Sequence, residues 1–112
     1  MSESLNSITE WLDKHIQKTI LIRKEEQGDL DETRVMLEGT EYKERVPSID
    51  DYAEGNSLIL HGSGSVLNKM GDFPLPTNSF QIYVDGLTEC HIEEQHVSMK
   101  TDRAKYEISE IS

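Results

Sequence analysis

Most of this chain carries a period of two. Phe80, Ile82 and Val84 alternate with Gln81, Tyr83 and Asp85, and Asp85-Gly86 follows as a turn signal. Val97, Met99 and Thr101 alternate with His96, Ser98 and Lys100. After Asp102-Arg103, Ala104, Tyr106 and Ile108 alternate with Lys105, Glu107 and Ser109. Successive side chains of a strand face opposite sides, so each such run has one apolar and one polar face. Two runs joined by a tight turn read as a terminal hairpin.

Only one segment departs from this rule. Leu5, Ile8, Leu12 and Ile16 are spaced by 3, 4 and 4 and form one helical stripe. The spacing predicts a helix over 5–18. Ser7 and Glu10 have the form of a capping box, with Ser2 or Ser4 as caps of an earlier start. Lys14, His15 and Lys18 then fall in the last turn, where positive charge suits the helix dipole. Trp11 lies beside the stripe and is expected to help dock the helix on a sheet.

The remaining strands are expected over 19–24, 33–46, 57–61, 79–84, 89–94, 96–101 and 104–109. A bulge is expected at Gly39, and Glu26-Gln27-Gly28-Asp29 reads as a turn. Ser48 to Asn56 reads as a polar loop. Gly71 to Asn78 reads as an extended connector, because Pro74 and Pro76 lack amide protons. No helix is long enough to alternate with the strands, which argues against parallel βαβ units. The expected fold is therefore mainly β, of the α+β type. One N-terminal amphipathic helix packs on six or seven mostly antiparallel strands, curled into a barrel or small sandwich. The 112 residues are read as one domain, 1–112, with one modest core.

Charge narrows the partners. The chain holds 22 acidic and 11 basic residues, a formal charge of −11. The excess is shared by both halves, so it is not an acidic tail. A phosphate backbone needs a basic stripe, and an anionic membrane surface a basic patch; neither is present, so no direct nucleic-acid and no membrane partner is expected. A protein partner or a homo-oligomer fits better. The N-terminus has no basic region followed by an apolar core, the pattern of a secretory signal. The longest aliphatic runs, at Ile20-Leu21-Ile22 and Leu58-Ile59-Leu60, are too short to span a bilayer. With one cysteine, Cys90, no intrachain disulfide can form. A cytoplasmic location is expected.

The most suggestive chemical motif is His61-Gly62-Ser63-Gly64-Ser65. A nucleophile elbow reads G-x-S-x-G before a helix, and this stretch does not meet the five-residue pattern. A dinucleotide loop needs a third glycine, and its position holds Leu67. His61, Ser63 and Ser65 stay as candidate ligand-binding residues on a strand whose glycines permit a bulge or turn. His91 and His96 are candidate metal ligands, but five residues apart they share a face only across a turn at 93–95. Asp50, Asp51 and Tyr52 form an acidic loop with an aromatic, a candidate partner contact. No cofactor is indicated.

These features weigh more against catalysis than for it. The expectation is a small acidic protein that acts non-enzymatically, as an interaction or accessory module binding another protein or itself. The alternative is a small-ligand or metal-binding β-barrel, possibly an enzyme, with its site near His61-Gly62-Ser63-Gly64-Ser65.

Overall fold

A computed structural model describes residues 3–43, 56–68 and 70–111. Helix α1 (Glu3–Asp13) precedes strands β1 (Thr19–Glu26), β2 (Asp29–Lys43), β3 (Ser57–Asn68) and β4 (Gly71–Pro74). A short 3₁₀ turn, Pro76–Asn78, leads to β5 (Ser79–Tyr83), β6 (Thr88–Ile92), β7 (His96–Lys100) and β8 (Lys105–Glu110). All pairings are antiparallel, in the order β4-β3-β2-β1-β8-β7-β6, with β5 also paired to β3. The β-rich α+β fold read from the periodicity is the fold observed.

The sheet curls without closing. Strands β4 and β5 share one edge of β3, along 65–68 and 57–61 respectively. The end of β5 then meets the β7–β8 turn from the far side of the strand order. There the Asp102 amide donates to the Asp85 carbonyl at 2.9 Å, and the Arg103 guanidinium lies 4.0 Å from the Tyr83 ring centroid. Short strands with a strong twist bend in this way when one face is dry.

That dry face is the core. Ile20 and Ile22 of β1, Val35 and Leu37 of β2, Leu58 and Leu60 of β3, and Tyr106 and Ile108 of β8 are all buried. Leu5, Ile8 and Leu12 of α1 cover them, and Ile16 packs at the margin. Trp11 docks the helix as expected, with its indole N–H donated to the carbonyls of Glu93 at 2.8 Å and Glu94 at 3.1 Å.

Several boundaries differ, for local reasons. The helix stops at Asp13, so Lys14, His15 and Lys18 lie in the turn after it. The amide of His15 turns back to the Leu12 carbonyl, Gln17 adopts φ 70°, and its amide donates to Leu37 of β2. Contact with the sheet ends the helix before its stripe is exhausted. Because the helix starts at Glu3, Ser7 and Glu10 lie within it and form no capping box.

The first hairpin is longer than the alternation alone predicts. Gln27 and Gly28 both have positive φ, 51° and 86°, as a two-residue primed turn requires, so pairing begins at once at Asp29. The segment Gly71–Pro74 pairs with Ser65–Asn68 as a short edge strand, where the missing amide proton of Pro74 is tolerated.

Candidate functional site

The His-Gly-Ser-Gly-Ser stretch contains no bend. Strand β3 runs unbroken for 12 residues, and the irregularity sits in its partner, between Leu37 and Gly39. The bulge expected at Gly39 is therefore present, and it spares β3. The two glycines serve close backbone approach. A Cβ on Gly62 would overlap the Met36 carbonyl oxygen, and one on Gly64 the Arg34 carbonyl oxygen.

Alternation about these glycines places His61, Ser63 and Ser65 on the outer face, away from the helix. His61 is exposed, and its Nε2 lies 3.1 Å from Glu41 Oε1. Ser63 is exposed opposite Met36. Ser65 lies opposite Arg34 and lines a small cavity of about 30 Å³ with Leu21, Glu32, Arg34, Leu67 and Asp72. The motif thus faces out from a sheet and encloses nothing around His61.

The turn between β6 and β7 brings His91 and His96 to one face. His91 stands opposite Ser98, and His96 lies two residues from Ser98 on the same side. His96 is flanked by Glu93 at 3.9 Å from Nδ1 and Glu107 at 3.4 Å from Nε2. Among the described residues no group of three or more His, Cys, Asp or Glu side chains is placed to hold a metal ion. Asp50, Asp51 and Tyr52 lie outside the described residues. Cys90 is half-buried against the core.

Three arrangements escape a reading by period. The first is built on Trp11 and His15, one helical turn apart, whose rings stack at 3.8 Å between centroids and 20° between planes. Because a carbonyl can only accept, His15 Nδ1 donates to the Trp11 carbonyl, at 2.7 Å. Lys18 pairs with Glu110 at 2.8 Å, and this hydrogen bond holds the Glu110 carboxyl below its usual range. The i, i+4 spacing of Trp11 and His15 was the only sequence signal for this cluster.

The second is a cleft of about 380 Å³ beside the β7–β8 turn. Lys100, Arg103 and Lys105 line it, but so do Glu25, Glu89 and Asp102. Its charges balance, so it has no net preference for an anion or a cation. Tyr106 is buried nearby on the inner face. Burial, aided by the Glu26 carboxylate, pushes its phenol up to about 12.

The third is an apolar corner. Leu30 (42% exposed), Leu67 (48%), Met70 (85%) and Phe73 (47%) lie where the β1–β2 and β3–β4 hairpins end. The register of Glu32 with Leu67 sets these two ends side by side. Asp29, Leu30, Asp31, Asn68 and Met70 line a groove there of about 250 Å³. Phe73 stands opposite Val66, on the other face of the sheet from Leu67. In a chain with 35% hydrophobic residues, the exposed side chains of Leu30, Leu67 and Met70 near these hairpin ends demand a reason.

Among the described residues no helix is long and apolar enough to cross a membrane. The model of the YmzB-like protein family matches residues 1–112. The protein YmzB of Bacillus subtilis (strain 168), described as uncharacterised, is 31% identical over 114 residues, covering 96% of each chain. No solved structure matches.

Proposed function

The chain belongs to the YmzB-like family, and for it we propose a non-catalytic role as an interaction module that binds another protein or self-associates. The observation that carries this reading is the exposure of Leu30, Leu67 and Met70 near the ends of two adjoining hairpins. Water-exposed aliphatic and aromatic groups cost about 25 cal/mol for each Å² left uncovered, and a partner that covers them recovers this energy. The outward placement of His61, hydrogen-bonded to Glu41, supports an interaction role over a ligand pocket at that motif. The acidic surface keeps such a module soluble and steers basic partners toward it.

The test combines sedimentation of the purified protein with chemical cross-linking in cells that produce it. A reproducible cross-linked partner, or a defined oligomer, is expected. A strictly monomeric protein that cross-links to nothing overturns the reading.

A further inference from the structure

We propose that His15 is a proton-operated latch: a proton taken up at its Nε2 closes the 4.0 Å gap to Glu110 and fastens the turn after α1 to the end of β8. The latch does not depend on the interaction reading, which rests on Leu30, Leu67 and Met70.

The place of the added proton is fixed by the one already there. His15 is 7% exposed, and its Nδ1 hydrogen is donated to the Trp11 carbonyl at 2.7 Å. The neutral ring therefore carries no hydrogen on Nε2. That nitrogen lies 4.0 Å from Glu110 Oε1, too far for a hydrogen bond and with no hydrogen to give. A second proton can bind only there. It replaces a lone pair beside a carboxylate, which is repelled, with a donor, which is attracted. A charge-assisted bond of this kind closes to about 2.7–2.9 Å.

The surroundings suit the charged ring. It stacks on the Trp11 indole at 3.8 Å between centroids, and an aromatic face attracts a cation. Lys18, 2.8 Å from the same Glu110 oxygen, holds that carboxyl below its usual range. Glu110 is then ionised throughout the range in which an imidazole ordinarily changes charge, about pH 5 to 8. Lys18 also opposes the added charge, as does burial of the ring. The other charged groups of the packed elements are engaged elsewhere or exposed. Asp13 accepts from Thr40 of β2 at 3.2 Å, and the Glu93 carboxylate lies 3.9 Å from His96. Lys14, Glu38 and Glu94 are exposed.

The turn after α1 is already tied to β2, through the Gln17 amide on the Leu37 carbonyl. Closing His15 on Glu110 adds a tie to β8, so α1 is held more firmly over the core at mildly acid pH. The attraction exists only while the ring is charged. It is therefore present at the acid end and lost as pH rises through the His15 titration.

Two measurements on the full chain test this. The first is the nitrogen-15 spectrum of the His15 ring from about pH 8 to about pH 5, assigned by its absence from His15→Phe. A neutral ring protonated at Nδ1 is expected, with a titration midpoint that falls in Glu110→Gln, a neutral side chain of the same shape. A neutral ring protonated at Nε2, or a midpoint indifferent to Glu110→Gln, overturns the latch.

The second is a double-mutant cycle of His15→Phe and Glu110→Gln, read by urea denaturation at about pH 8 and about pH 5.5. His15→Phe keeps a ring against Trp11 and loses the Nδ1 bond at both pH values, so that loss cancels in the comparison. The coupling is expected to favour the folded state about fivefold more at the lower pH. Equal coupling at both, or larger coupling at the higher pH, overturns the proposal. If the double variant does not fold, the ring titration decides alone.

Discussion

The indole nitrogen of Trp11 donates to the carbonyl oxygen of Glu93 at 2.8 Å, across 82 positions of the chain. The same N–H lies 3.1 Å from the Glu94 carbonyl. One side chain therefore ties the only helix among the described residues to the turn between β6 and β7. That turn also sets His91 and His96 on a common face.

Replacing the donor tests this link. Trp11→Phe keeps an aromatic ring for packing but removes the N–H. It should cost about 1–3 kcal/mol, the range for leaving partly buried acceptors without their partner. Urea denaturation reads the loss, and amide exchange in the β6–β7 turn should quicken. Unchanged stability and exchange would show that the tie contributes nothing.

The glycines of β2 and β3 give a contrast. Gly62→Ala and Gly64→Ala each push a methyl group into a backbone carbonyl of β2, which cannot swing aside as a side chain does. Each should cost about 1–3 kcal/mol or more. At Gly39 a Cβ meets nothing within 4 Å, and Gly39→Ala should change stability by less than about 0.5 kcal/mol. Thermal melts of the three variants check the order.

Tyr106 sets an alkaline limit. Its phenol titrates at about 12 when folded and near 10 when exposed. The unfolded chain therefore loses this proton first as pH rises. The fold keeps its full stability below about 10 and loses on the order of 2–3 kcal/mol as pH climbs to about 12. Tyr106→Phe should flatten that part of the stability profile. A decline of the same size in the variant would assign it to other groups.

Glu110 works at the opposite end. The hydrogen bond from Lys18 holds its carboxyl below the usual range. Its contribution is present above the ordinary carboxylate range and fades as pH falls through the lowered value. Lys18→Ala should move the Glu110 titration upward, as followed by the carbon-13 shift of the side-chain carboxyl. A midpoint indifferent to Lys18 would refute the pairing.

Much of the fold was legible because its signals are local. The alternation at Phe80 to Val84 and at Val97 to Ile108 marks strands without reference to any partner. Leu5, Ile8 and Leu12 mark the helix in the same way. The helix end was not legible, because contact of Gln17 with Leu37, 20 positions later, breaks a stripe that continues to Ile16. Strand β4 was hidden because Pro74 reads as a breaker until Ser65–Asn68 supplies an edge for it to join.

The candidate site shows the same division. Residue types alone singled out His61, Ser63 and Ser65, but the face they occupy follows from alternation along an unbroken β3, whose Leu58 and Leu60 point into the core while the irregularity falls in β2. Leu30, Leu67, Met70 and Phe73 are unremarkable one by one. Only the register of β2 with β3 brings Leu30, Leu67 and Met70 to one end of the sheet, while Phe73, opposite Val66, takes the other face. Period, turn chemistry and charge act between neighbours in the chain, so the sequence by itself determined the class of fold and its acidic character. Which side chains share a corner depends on pairings between distant segments, and only the tertiary structure decided that.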